Sequence, residues 1–379
     1  MSTRTVRFGI IGCGLMGREF ASAAARWCHV LDLDVRPEIV AVCDANPGAM
    51  EWFTKNFDIP QATGDYHELL ANPDVEAVYC AVPHNLHEKL YIDVLSAEKH
   101  LLAEKPFGID LGACERILAQ INAHPDLLVR CSSEFPFFPA VRRIVNMIEA
   151  GAFGEIIEVR SGFLHSSDMD PNKAINWKRG IATCGEYGCM GDLGMHIMHI
   201  PLRSGWRPRN VRALLSDIVK QRPDGKGGMA PCETWDNAVL ACESEHGFPM
   251  ILETKRISPA DANTWYLQVY GTKNSAEFST KQPKTLRTMP YHPNEAQTWH
   301  VEDVGYESAY KTITGSIFEF GFSDAILQMW AAFIDELANG EKMIGKFRCA
   351  TPEEALGSHK LFTAALESQK NRSTVAVEI

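Results

Sequence analysis

The chain has 379 residues, 45% hydrophobic and 22% charged, with a formal net charge of −11. Its length calls for about two domains, and its composition is that of an ordinary globular protein rather than a disordered or fibrous one. The acidic balance speaks against nucleic acid or an anionic membrane surface as a partner, because both repel it at long range, and favours a small neutral substrate.

The opening MSTRTVRFGI passes straight into a strand pattern with no signal-like segment. No apolar run approaches the roughly 20 residues of a membrane span, so the expectation is a cytoplasmic protein with no membrane partner. From Val6 to Ser133 apolar strands alternate with helical stretches: VRFGIIG, a helix from Leu15, IVAVCD, a helix near Ala49, VEAVYCAV, a helix from Leu86, then HLLAEKP. A helix over 114–122 and the strand LLVRCS extend the series. Strands rich in β-branched residues and apolar on both faces predict a parallel sheet covered by helices.

After Phe135 the pattern changes: a helix over 141–150 ends at Gly151, EIIEVRSGFL follows, and a long loop runs over 165–187. VRALLSDIV, NAVLACESE, PMILETKRI, WYLQVYGT and SAEFST then succeed one another without helices between them, which predicts a large, mainly antiparallel open sheet. Two helices, over 325–337 and 352–368, close the chain and are free to pack back on the first domain. The expected division is an α/β dinucleotide-binding Rossmann domain over 1–133 and an α+β domain for substrate and oligomerisation over 134–379. Eleven scattered cysteines without a Cys-x-x-Cys pair read as reduced, mostly buried thiols. Cys184 and Cys189 lack a second pair with which to hold zinc.

Gly12-Cys13-Gly14-Leu15-Met16-Gly17 is a G-x-G-x-x-G between the first strand and its helix. The first glycine allows a tight turn, the second lets backbone approach a pyrophosphate, and the third permits close helix-to-strand packing. Asp44 ends the second strand, where a carboxylate accepts hydrogen bonds from the adenine ribose and repels a 2′-phosphate, so NAD is expected over NADP. It lies 27 residues beyond Gly17 against about 20 in the usual fingerprint, so Asp32 and Asp34 compete, although neither ends an apolar run. By the rule that ligands sit at the carboxyl ends of parallel strands, the segments Val82-Pro83-His84-Asn85-Leu86-His87 and Ala103-Glu104-Lys105-Pro106 face the same crevice. Leu15, Met16, Pro83, Asn85, His87, Glu104 and Lys105 are the cofactor contacts expected beside the glycines and Asp44.

The glycine turn, PHNLH, AEKP, the GAFGEI that opens the second domain, and Gly191-Asp192-Leu193-Gly194-Met195-His196 occur in one order along nearly the whole chain. In this the chain resembles the Gfo/Idh/MocA oxidoreductase family, the relatives of glucose-fructose oxidoreductase and inositol dehydrogenase. The resemblance implies an Asp-x-x-x-His pair and the lysine of E-K-P around a sugar hydroxyl, which fall on Asp192, His196 and Lys105. Neutral His196 suits proton removal near neutral pH, and Lys105 suits stabilisation of the charge growing on the oxygen. Asp192, one turn earlier, suits a charged hydrogen bond to substrate or lysine.

The resemblance further implies a sugar or cyclitol substrate and a homodimer or homotetramer built through the open sheet. The chain departs from the family at His199, where an aspartate is common, and at Pro136, where an arginine is common, so the substrate of inositol dehydrogenase does not carry over. Offsets of 4 and 7 bring Asp192, His196 and His199 within about 60° of one helix face, a facial-triad metal set in principle. The expectation is nevertheless no metal, since hydride transfer needs none and a nearby lysine repels one, which leaves His199 to pack or to touch substrate. His165 and Asp168 after a strand, and Asn176, Trp177 and Lys178 in the loop before GDLGMH, are further candidates for lining a sugar pocket, Trp177 through its aromatic face. The leading expectation is NAD-dependent oxidation of a secondary hydroxyl. The alternatives are a redox-neutral NAD-dependent glycosidase-like enzyme and a non-catalytic NAD-bound sugar-sensing regulator, the latter disfavoured by intact Lys105 and His196.

Overall fold

A computed structural model describes residues 4–315 and 320–378. The first sheet has six parallel strands: β1 (Arg4–Ile11), β2 (Val35–Cys43), β3 (Gln61–Thr63), β4 (Ala77–Cys80), β5 (His100–Ala103) and β6 (Val129–Cys131). Their spatial order is β3-β2-β1-β4-β5-β6, the doubly wound arrangement that reverses direction beside β1 and opens a crevice there. β4 is buried along its whole length, as a strand covered on both faces must be.

Helices α1 (Leu15–Ala25), α2 (Pro47–Asn56), α3 (Tyr66–Ala71), α4 (His87–Ser96) and α5 (Leu111–Ala123) make the crossovers. Asn46, Asp65 and Asp110 cap α2, α3 and α5 by accepting a backbone N–H two or three residues on. The short β3 and α3 carry too little periodicity to be read from sequence. They complete the sheet edge beyond Asp44.

Helix α6 (Pro139–Glu149) leads into β7 (Ile156–His165), and the connection that follows contains the short α7 (Ile181–Cys184) before α8 (Cys189–Arg203). The remaining strands are β8 (Pro208–Ser216), the β9 (Gln221–Pro223) and β10 (Met229–Pro231) hairpin, β11 (Asn237–Ser244), β12 (Pro249–Lys255), β13 (Asn263–Gly271), β14 (Asn274–Ser279), β15 (Thr285–Pro290) and β16 (His300–Asp303). Helices α9 (Phe322–Asn339) and α10 (Pro352–Asn371) and the short β17 (Val375–Ala376) follow. Nine strands form the second sheet in the order β16-β15-β14-β13-β7-β12-β11-β8-β17, antiparallel except where β7 and β12 run parallel at its centre. The sheet is longer than the sequence pattern foretold, because β15, β16 and β17 are short edge pieces with weak alternation.

Helix α8 is buried from Cys189 to Pro201 and lies against β7, β12 and α10. Gly194 lets it approach closely: a Cβ there would stand 2.3 Å from the Phe362 ring of α10. The closing helices cover both domains. Trp330 of α9 packs on Phe8 and Phe20 of the first sheet and its helix, Arg26 pairs with Asp324 at 3.0 Å, and α10 spans α5, α8 and β8. Among the described residues no helix is long and apolar enough to cross a membrane.

Candidate active site

A cavity of about 960 Å³ runs between the two sheets, from the glycine turn after β1 to the start of α8. At one end the chain supplies mostly backbone. Gly12 has φ +99°, and a Cβ there would collide with the Ala81 carbonyl at 2.1 Å; at Gly17 it would stand 2.3 Å from the Gly12 carbonyl oxygen. Gly14 differs, since a Cβ there meets no atom within 4 Å, and the space it would enter is the cavity itself.

Leu15 and Met16 line the same end at the N-terminus of α1, where unpaired N–H groups favour an anion. Asp44 follows β2 directly, and its carboxylate accepts from Cys13 N at 2.8 Å and Asn46 N at 2.8 Å, which fixes it beside the turn. The extra chain length before it forms a short turn over Trp27–His29 and an exposed loop, where Asp32 faces Lys311. Neither Asp32 nor Asp34 reaches the cavity wall. An open cradle at Gly14, a helix N-terminus and a fixed carboxylate one strand away fit a dinucleotide.

At the other end the wall consists of buried charge. Lys105, following β5, donates from Nζ to the Asp192 main-chain oxygen at 2.8 Å and lies 3.3 Å from its carboxylate. Lys178 donates to both Asp192 carboxylate oxygens at 3.0 and 2.9 Å. Arg256, after β12, reaches the same group at 3.1 and 3.2 Å. Burial alone raises the Asp192 pKa, but Lys178, Lys105 and Arg256 outweigh it and hold the carboxyl well below its usual range. Lys105, although buried, stays above the ordinary lysine value because Asp192, Glu104 and Glu134 outweigh desolvation. Lys178 is drawn down by burial and by repulsion from Lys105 and Arg256 against the pull of Asp192.

His196, one turn along α8 from Asp192, stands between Phe135 and Phe163, both nearly perpendicular to its ring. Its Nδ1 lies 3.5 Å from Ser133 Oγ and 3.8 Å from Glu134 Oε2. Burial, helped by the Lys105 charge, keeps the imidazole well below its usual pKa and therefore neutral. Burial pushes Glu134 up to about 7, and it raises Glu104, which accepts from Tyr79 Oη at 2.6 Å.

Lys105, Asp192, His196, Pro83, Glu104, His165, Asp168, Trp177 and Lys178 therefore share one wall. The Asp168 carboxylate is already held by Arg179 and by Lys173 at 3.0 Å. Two expected cofactor contacts, His87 and Asn85, stand elsewhere. His87 is fully buried behind the wall, with Nε2 3.0 Å from the Val82 carbonyl and Nδ1 accepting from Gly108 N at 3.3 Å, so it braces the backbone after Lys105. Asn85 sits on an exposed turn outside the cavity, because the turn over His84–Leu86 directs alternate side chains apart.

His199 lies one turn deeper along α8, fully buried, with Nε2 3.2 Å from Glu354 of α10. It does not converge with Asp192 and His196 on a common space. No group of three or more His, Cys, Asp or Glu among the described residues is placed to hold a metal ion.

His84, Glu134 and Arg256 are wall residues that the sequence reading passed over. His84 turns Nδ1 to the Cys184 carbonyl at 3.0 Å and packs nearly perpendicular to the Trp177 ring. The signal for Glu134 was a lone carboxylate inside the apolar run SSEFPFFP; Arg256 offered only a strand end.

The fold and its crevice define a Rossmann-type, dinucleotide-binding oxidoreductase. A sequence model described as the oxidoreductase family with an NAD-binding Rossmann fold matches residues 6–130, and one for the GFO/IDH/MocA C-terminal domain matches residues 141–277. The chain belongs to the Gfo/Idh/MocA oxidoreductase family.

Among its relatives is levoglucosan dehydrogenase of Pseudarthrobacter phenanthrenivorans, 24% identical over 298 residues that span 75% of this chain and 76% of that one. Another is trans-1,2-dihydrobenzene-1,2-diol dehydrogenase of Bos taurus, 27% identical over 241 residues, 60% of this chain and 68% of that one. The fold is that of solved levoglucosan dehydrogenase in complex with NADH and L-sorbose, with a TM-score of 0.89 over 99% of each chain at 21% identity.

Proposed function

We propose that this protein is an NAD-dependent dehydrogenase acting on a secondary hydroxyl of a sugar, sugar derivative, cyclitol or related diol, or reducing the corresponding ketone. The observation that carries this reading is the convergence of Lys105, Asp192 and His196 on the wall of a cavity that continues to the glycine turn. The names of the sugar and diol dehydrogenases among its relatives support it.

Gly12, Gly14, Leu15 and Met16 would hold the pyrophosphate, and Asp44 the adenine ribose. When bound, NAD supplies the acceptor for the hydrogen that leaves the carbinol carbon with its electron pair. His196, with Nδ1 turned to Ser133 and Glu134, offers Nε2 to the substrate hydroxyl and takes its proton. Lys105 donates a hydrogen bond to the same oxygen as charge grows there, and Asp192 fixes the ammonium in place. Phe135 and Phe163 exclude water from the imidazole and keep it neutral.

Incubating the protein with NAD and a panel of sugars, cyclitols and vicinal diols, and following NADH, tests the proposal. Net NADH from at least one secondary alcohol is expected. Turnover without net NADH would favour the redox-neutral alternative.

A further inference from the structure

We propose that the substrate carries a carboxylate, received by Lys178, so that the preferred compound is a sugar acid or cyclitol acid rather than a neutral polyol. This rests on the dehydrogenase reading and specifies its substrate. Three cations, Lys105, Lys178 and Arg256, converge on the single carboxylate of Asp192. One carboxylate is thus shared by three cations, and charge without a contact partner is costly in proportion to its burial.

No other acid of the cavity is paired at contact distance with these three cations. Asp168 is committed to Arg179 and Lys173, and Asp44 faces the glycine turn. Glu104 is bonded to Tyr79 and Glu134 stands 3.8 Å from His196, so both favour the Lys105 charge only from beyond contact distance. His84, His165 and His196 are kept neutral by their burial.

Two of the three cations thus lack a contact anion of their own, and the three differ in access. Arg256 is 2% exposed and spends its donors on Asp192, the Lys178 carbonyl and Cys184. Lys105 is 17% exposed and is the group set to meet the reacting oxygen. Lys178 is 38% exposed, on the loop whose Asn176 and Trp177 also form the wall. An ammonium has three donors; two of those on Lys178 go to Asp192, leaving one for a ligand.

A substrate carboxylate would take that donor and neutralise one surplus charge in the ground state. The other surplus charge remains for the oxyanion that develops during reaction. A phosphate would bring nearly two charges and three acceptor oxygens to this one donor, since Lys105 is set to meet the reacting oxygen and Arg256 has its donors spent. The overall charge of −11 says nothing about this local surplus, because solvent screens the surface acids within about 10 Å while the buried cluster acts at contact distance.

The test compares kcat/KM for matched pairs with NAD: glucose with glucuronate, galactose with galacturonate, and glucose 6-phosphate as a third arm. The acids should exceed the neutral sugars by roughly 10- to 100-fold, the factor supplied by a hydrogen bond to a charged group. Lys178→Met should remove most of that advantage, and Lys178→Arg should keep much of it. Because Lys178 also holds Asp192, a second readout uses the unmodified protein with NADH, whose melting temperature should rise more with the acid than with its neutral partner.

Equal or better turnover of the neutral sugars, equal thermal shifts, or preference for the phosphate overturns the carboxylate assignment and leaves the dehydrogenase reading standing. NADH from no arm, nor from the wider alcohol panel, overturns both.

Discussion

The two ends of the cavity solve different problems with different materials. The end proposed for the cofactor is made of backbone, three glycines and one carboxylate from two neighbouring strand ends. The end proposed for the substrate is made of charged side chains drawn from the ends of β5 and β12, from α8 and from the loop before it, packed against neutral imidazoles. A pyrophosphate needs close, nearly featureless approach, so removing side chains suffices. A reacting hydroxyl needs oriented donors and acceptors kept from water, so side chains must be brought together and held. Substitutions at the first end should therefore act on binding, and those at the second on turnover.

The largest expected effect is at the substrate end. Lys105→Ala and His196→Ala should each lower kcat and kcat/KM together by roughly 100-fold or more, the loss typical of an oxyanion donor or general base, with NADH affinity little changed. Steady-state kinetics with calorimetric NADH titration checks this. Full turnover in either folded variant would remove that residue from the mechanism.

Acid should also strike this half of the molecule first. Burial holds His87 at about 3 and His359, which bonds the Pro106 carbonyl at 2.7 Å, at about 4, both below the ordinary 6.5. The unfolded chain then binds more protons than the folded one below pH 6.5, so stability falls as pH drops through that value toward 4 and 3. By pH 5 each histidine should cost about 2 kcal/mol. Glu134 acts with the opposite sign, since its carboxyl, at about 7 when folded and 4.5 ordinarily, loses stability as pH rises through that range. Urea midpoints at pH 7, 6 and 5 should decline because the histidines outweigh it; a flat series would contradict this.

Gly14→Ala sharpens the comparison from the cofactor end. Its φ of −75° is ordinary and its Cβ meets nothing, so the melting temperature should hold. NADH affinity should fall by about tenfold or more, since the methyl occupies the space left for the pyrophosphate. Unchanged affinity would place the dinucleotide elsewhere. The smallest effect is at Asp44, where Asp44→Ser should weaken a preference for NADH over NADPH, and equal affinities in the unmodified protein would remove Asp44 from the ribose.

What could be read along the chain follows the same division. The glycine turn, Asp44, the alternation of the first domain and the antiparallel run of the second are contiguous patterns, each dictated by local backbone geometry or by which face a strand buries. GDLGMH and AEKP were legible as motifs. That Lys105 meets Asp192 across 87 residues of chain was not.

Tertiary structure alone decided which histidines face the cavity. His84 does, whereas His87, three residues later, turns behind the wall, and His199 meets α10 instead of joining His196, although helical phase put both on one face. Only the fold brought Lys178 and Arg256 onto Asp192 and Glu134 beside His196. Composition offered a net charge of −11 and the expectation of a neutral substrate, whereas the folded chain gathers three cations around one buried carboxylate. Net charge is a sum over surface groups that water screens, and a buried site answers to the few charges within contact distance of it, which only packing determines.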